Sequence, residues 1–132
     1  MSAIAVLERR VEEMPDPGGG AARPSHIRDR RRHCTIVRIE GELDASVAGV
    51  FHKALGQAVT ASSHAVVLDL RWTRFLSIGM ARSLATAKLA AAATGVDLRI
   101  VGERPEVERV LEVTGRRPLF RRYSSVQAAL TA

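Results

Sequence analysis

The run Ala65-Val66-Val67-Leu68-Asp69-Leu70 constrains the fold more than any other stretch. It is apolar at consecutive positions rather than alternate ones. A strand here must therefore be covered on both faces, as central strands are in parallel sheets with helices packed on them. Asp69 interrupts the run near its C-terminal end. A buried-strand Asp at such a place caps N–H groups of the loop that follows, and no partner for a catalytic role accompanies it. The loop continues to Phe75-Leu76-Ser77-Ile78-Gly79-Met80, and Ala81 to Thr94 reads as an alanine-rich helix with Met80, Leu84 and Leu89 as its larger apolar members. A strand that feeds a helix N-terminus forms an anion-friendly corner, because the first turn carries free N–H groups and partial positive charge. The corner at Ser77 to Met80 is the place where such a chain would meet another protein.

The remaining elements are arranged around that strand. Ile4, Leu7, Val11 and Met14 lie at helical spacing, so residues 2–14 are expected as a short helix, either a frayed leader or a docking element. Pro15-Asp16-Pro17-Gly18-Gly19-Gly20 reads as a linker. Residues 1–24 are thus a leader and linker, and a single domain spans 25–132. His26 to Arg32 is expected as an edge strand, and Cys34 to Glu40, rich in β-branched residues, as a better one ended by Gly41. Asp44 is placed to N-cap a helix whose apolar face is Val47, Val50, Phe51, Ala54, Leu55, Ala58 and Val59.

After the alanine-rich helix, Thr94-Gly95 is a stop and Val96 to Val101 a strand. Arg104-Pro105-Glu106 opens a helix that Gly115 ends, since Pro suits the first turn and an acidic residue there suits the dipole. Leu119, Phe120 and Tyr123 make an apolar connection. Ser124 and Gln127 form a capping box for a last helix from Ser125 to Leu130. The order β-β-α-β-α-β-α-α implies an α/β domain with a mixed sheet of about four strands and about four helices.

The chain has 132 residues, enough for one domain with a real core. No apolar run approaches the length of a bilayer span, and no basic region followed by a long apolar core opens the chain, so no membrane helix and no secretory signal are expected. Cys34 is the only cysteine and reads as a small filler on its strand. A cytoplasmic protein with no metal and no cofactor is the expectation. The net charge of +6 comes from 18 Arg and 2 Lys against 14 acidic residues. The Arg residues are scattered apart from a cluster at Arg28 to Arg32, aromatic residues are few, and no nucleic-acid motif is present, so specific nucleic-acid binding is not expected. His52 and His64 read as solvated. No nucleophile–base arrangement, phosphate loop or metal-ligand cluster appears, so no enzyme activity is expected. Trp72 sits in a loop as core cover or exposed contact.

Four segments together resemble the STAS domain in its form as an anti-sigma factor antagonist. They are Gly41-Glu42-Leu43-Asp44 after a strand, the strand Val66 to Leu70, the helix Arg104 to Gly115 with its Thr114-Gly115 end, and the close Leu119-Phe120 to Tyr123-Ser124-Ser125. The resemblance covers about residues 25–132 and implies a STAS-like single domain. It also implies a partner: an anti-sigma factor, commonly a serine kinase of the GHKL type, whose sequestration frees a sigma factor for transcription. In that family the kinase phosphorylates a serine in a D-S-S-G segment at the corner, and the phosphate disrupts the interface.

This chain departs from the pattern there. Ungapped spacing from Asp69 to Pro105 places D-S-S-G on Ser77-Ile78-Gly79-Met80. The acceptor position holds Gly79, which has no hydroxyl, and Ser77 is the only hydroxyl inside the motif. Ser83 lies further along the helix and Thr73 upstream. Loss of the standard phosphate switch is the preferred reading over its relocation to Ser77. The expected contact residues are Asp44, Ser77, Ile78, Gly79 and Met80. An alternative role is a STAS module that binds a small ligand or serves as a scaffold in a stress-signalling complex.

Overall fold

The protein is described by a computed structural model that covers residues 7–13 and 32–132. Strand β1 (Leu7–Glu13) is followed by β2 (Arg32–Arg38), β3 (Gly41–Leu43) and a one-turn 3-10 helix (Ala45–Val47) that runs into α1 (Ala48–Ala61). Then come β4 (Ala65–Asp69), β5 (Thr73–Leu76), α2 (Ile78–Ala93), β6 (Asp97–Val101), α3 (Pro105–Val113), a second 3-10 turn (Arg117–Leu119), β7 (Arg122–Tyr123) and α4 (Val126–Thr131).

The main sheet has the order β1-β2-β4-β6-β7. β2, β4, β6 and β7 are parallel, and β1 adds an antiparallel edge with Leu7 opposite Arg38 and Glu13 opposite Arg32. β4 is central and fully buried, as its continuous apolar run requires. Side chains alternate between its faces. Val66 and Leu68 join the larger core with Phe51 and Leu55 of α1, Met80, Ala81 and Leu84 of α2, and Val107 and Leu111 of α3. Ala65 and Val67 join the smaller core with Cys34, Ile36, Val101, Ala129 and Leu130, so α4 covers the opposite face.

Several local expectations hold for physical reasons the chain carries itself. Pro105 occupies the first turn of α3 with Glu106 and Glu108 behind it. Cys34 is buried among small and β-branched neighbours. Asp69 accepts from the Arg71 backbone N–H at 3.2 Å, as a strand-end cap should, and also holds the Arg71 guanidinium through Nε and Nη2, each at 2.8 Å. That hydrogen-bonded pair raises the Arg71 pKa above its ordinary value.

Other expectations are corrected. Residues 7–13 form a strand and not a helix, because their backbone pairs along its whole length with β2. The reading of 26–31 as a strand lies outside the described residues, while Arg32 begins β2 and β1 takes the edge. The loop before the corner contains a strand, β5, paired in parallel with β3 in a second small sheet. The chain reaches that sheet at Gly41, whose φ of 97° is a conformation that glycine adopts without strain. Val50 is exposed, so the inward face of α1 is narrower than its apolar pattern suggested. Ser125 rather than Ser124 caps α4, accepting from the Ala128 N–H at 3.0 Å. His64 is not simply solvated: its Nε2 lies 3.3 Å from the buried Arg99 guanidinium.

Candidate functional site

The site is built where the small sheet ends. β3 and β5 run in parallel with Leu43 opposite Leu76, and both leucines are buried as anchors. The residues that follow, Asp44 and Ser77, therefore emerge together. The Ser77 N–H donates to the Leu43 carbonyl at 3.0 Å and locks one loop to the other.

Each of these residues then starts a helix. Asp44 has extended backbone geometry, and its Oδ1 accepts from the Ser46 N–H at 3.0 Å and the Ser46 hydroxyl at 2.5 Å. Ser77 is also extended, and its Oγ accepts from the Met80 N–H at 3.1 Å, as an N-cap should. Two helix N-termini thus share one corner, and the first turns of the 3-10 helix, α1 and α2 carry no acidic residue. Their partial positive charges add there.

The expected contact residues divide by helical position. Ile78 and Gly79 occupy the first turn of α2 and face outward, with the Ile78 side chain 53% exposed. Met80 does not belong to that surface. One further step round the helix turns it inward, and it is 3% exposed in the main core. It supports the corner from beneath and presents nothing to a partner. Asp44 and Ser77 are half-buried beside the outward residues.

The space at Gly79 is open. A Cβ there would meet only Ser77 Oγ, at 4.0 Å, and Gly79 is not among the glycines with positive φ. Nothing in the backbone requires glycine at this position. The fold leaves room for a serine here.

Phe75 is a residue the sequence reading did not place in the contact set. It is 45% exposed, two positions before the Ser77 cap. In β5 the buried positions are Thr73 and Leu76, which leaves Arg74 and Phe75 outside. Thr-Arg-Phe-Leu has no clean two-residue alternation, so no sequence signal distinguished the outward aromatic from the inward leucine. Thr73 has a structural role, its hydroxyl donating to the Ile39 carbonyl at 2.9 Å inside the core.

Trp72 lies at the base of the corner, and its carbonyl accepts from the Gly41 N–H at 3.0 Å. The Arg38 guanidinium stands 3.6 Å from its ring centroid and that of Arg71 4.5 Å. These cation–π contacts hold the ring against the strand ends, and the residue stays 41% exposed. Among the described residues, no group of three or more His, Cys, Asp or Glu side chains is placed to hold a metal, and no helix is long and apolar enough to cross a membrane.

Residues 27–129 match the family model described as the STAS domain. No curated protein sequence matches the chain. Among solved structures, it is similar to an anti-sigma factor antagonist of Mycobacterium paratuberculosis, with a TM-score of 0.67 and 22% identity over 99% of this chain and 97% of that one. It is also similar to the anti-sigma factor antagonist SpoIIAA in its unphosphorylated form, with a TM-score of 0.59 and 16% identity over 92% and 93% of the two chains. The phosphorylated form of SpoIIAA, a Bacillus cell-fate determinant, gives a TM-score of 0.55 and 16% identity over 92% and 96%. At these identities the likeness is one of fold.

Proposed function

Because the chain belongs to the STAS-domain family, we propose that it is an anti-sigma factor antagonist that binds its partner through the double helix-start corner. The observation that carries this reading is the joining of Asp44 to Ser77 through the Leu43 carbonyl, with Ile78 and Phe75 exposed beside them. A surface of that kind offers a cap carboxylate, free first-turn positions and two large apolar side chains in one place. Apolar anchors ringed by polar groups are what protein interfaces use for most of their binding energy. The partner is an anti-sigma factor, in the family commonly a GHKL-type serine kinase, and its sequestration frees a sigma factor in the cytoplasm. The protein acts by contact and not by catalysis.

Regulation at the corner differs from the family pattern. The acceptor position holds Gly79, so a kinase finds no hydroxyl there. Ser77 has its Oγ occupied in capping α2. Phosphorylation there would replace the hydroxyl that accepts from Met80 with a bulky dianion in the contact surface. The interaction is therefore constitutive with respect to the standard switch.

The test is capture from a bacterial lysate with the intact chain as bait, beside the variant Ile78→Asp. The expected result is recovery of an anti-sigma factor by the parent chain and its loss with the variant. Recovery of none by the parent, under conditions that retain a known antagonist, overturns the reading. Incubation with the captured partner and ATP, followed by intact-mass measurement, tests regulation. A phosphate mapped to Ser77 would show that the switch has moved and not disappeared.

A further inference from the structure

Helices α1 and α2 lie side by side on one face of the sheet, and a groove of about 510 Å³ runs between them. Its origin is in the side chains. The crossover geometry fixes how far apart the two helices sit, because their flanking strands are neighbours in the sheet. Where α2 faces α1 it offers Ala87, Ala90 and Ala91, and α1 answers with Gly56. A Cβ built on Gly56 meets nothing within 4 Å. The helices therefore cannot fill the space that the sheet imposes between them. Its volume falls within the range of roughly 300–1,000 Å³ usual for small-molecule sites.

The groove has two unlike ends. α1 and α2 both follow parallel strands and run in the same direction. His52 and Arg82 are each the fifth residue of their helix, so they stand level at one end of the groove. Ser83 and Thr86 follow Arg82, the Thr86 hydroxyl donating to the Arg82 carbonyl at 3.2 Å, and beyond them the walls are Leu55, Val59, Ala87 and Ala91. The charge carried by the two helices has one sign. Neither Ala48–Ala61 nor Ile78–Ala93 contains an Asp or a Glu, in a chain with 14 acidic residues. Among the described residues no carboxylate pairs with the Arg82 guanidinium.

We propose that this groove binds a free long-chain carboxylate, its head at Arg82 and His52 and its alkyl chain along the wall of small residues. The guanidinium fork matches a carboxylate, and the apolar wall matches an unbranched chain. A nucleotide fits poorly, because the wall away from Arg82 has few polar groups to hold a base or a sugar. The proposal is independent of the corner as a partner surface.

Calorimetric titration of the intact chain with dodecanoate tests it, with dodecanol and dodecylammonium as probes of the head group. Saturable one-to-one binding of dodecanoate is expected, with weaker binding of dodecanol and none of dodecylammonium. Arg82→Ser should weaken dodecanoate about tenfold while leaving dodecanol unchanged. Gly56→Phe and Ala90→Phe fill the groove from opposite walls and should each abolish binding of both probes. Gly56→Phe also removes a glycine from a helix interior, so folding is retained, and the thermal transition checks this. Val113→Ser, at an exposed position of α3 outside both sites, should leave dodecanoate binding intact.

The proposal is overturned if dodecanoate does not bind, if dodecylammonium binds as well, or if the filled variants still bind. Binding to anionic lipid vesicles without binding of monomeric dodecanoate also overturns it. So does loss of partner capture in the filled variants when the parent chain takes up no dodecanoate, since the groove would then belong to the partner's side chains.

Discussion

The Ser77 N–H donates to the Leu43 carbonyl at 3.0 Å, and this one bond joins the start of α2 to the turn that starts α1. The two residues are 34 positions apart in a chain of 132, yet their pairing decides which groups share the corner. Asp44 and Ser77 each cap their own helix and are presented together because β3 and β5 end in register.

Gly79→Ser introduces a hydroxyl at the position that the STAS resemblance aligns with the family's acceptor. The nearest atom to the new Cβ is 4.0 Å away and the backbone is helical, so the fold accepts the change. Stability should rise by a few tenths of a kcal/mol, on the order of the helix-propensity difference between Gly and Ser. If the proposed partner is a serine kinase, the expected outcome with that partner and ATP is a gain of one phosphate by intact mass and weaker partner binding afterwards. A parent chain phosphorylated to the same extent would count against it.

Ser77→Ala removes the cap from the Met80 N–H. A loss of about 1 kcal/mol is expected by chemical denaturation. Ser77→Asp should retain most of that stability, because a carboxylate caps the same N–H and suits the helix dipole. If Ala and Asp destabilise equally, the capping role is wrong.

Ile78 and Met80 are two residues apart and should behave oppositely. Ile78→Asp changes an exposed side chain at the first turn of α2, so stability should shift by no more than about 0.5 kcal/mol while partner binding is lost. Met80→Ala opens a cavity in the main core and should cost about 2–5 kcal/mol. Parallel denaturation and binding curves for the two variants separate contact from support.

Asp97 gives the fold an acid-sensitive contact far from the corner. Burial pushes its carboxyl up, but hydrogen bonds from Lys88 at 2.6 Å and Arg99 at 2.9 Å outweigh that and hold it below its ordinary value. A depressed folded-state pKa stabilises the protein above the unfolded value, near 3.9 for Asp, and the benefit is lost as pH falls through the folded value. The side chain is 45% exposed, so the effect is screened and modest. Denaturation midpoints should fall less steeply below about pH 4 in Asp97→Asn than in the parent. Identical slopes would remove Asp97 from the account.

Particular residues show how far the sequence could be read. The apolar run at Ala65 to Leu70 fixed a central strand, since no exposed arrangement of those side chains is stable. Pro105 with Glu106 fixed a helix start, because capping and dipole chemistry act within one turn, whereas α2 starts at Ile78 behind the Ser77 cap and not at the expected Ala81. Residues 7–13 went the other way. Their apolar spacing suits a helix, but backbone pairing to β2 overrides it, and that partner lies about 25 positions downstream. Propensity is worth tenths of a kcal/mol per residue, which a full ladder of tertiary hydrogen bonds exceeds.

The sequence by itself determined the central strand β4, the alternation of strands and helices from β4 to α4 apart from β5 and β7, the domain's resemblance to STAS proteins and the glycine at position 79. These depend on local chemistry or on side-chain identity. Only the tertiary structure decided that Met80 faces inward, that Phe75 faces outward, that β3 and β5 bring Asp44 to Ser77, and that α1 and α2 stand apart over a groove. Each of those depends on register or helix spacing, which the whole sheet sets. A side chain's own chemistry says whether it prefers burial, and the distant segments that pair around it decide whether burial is available.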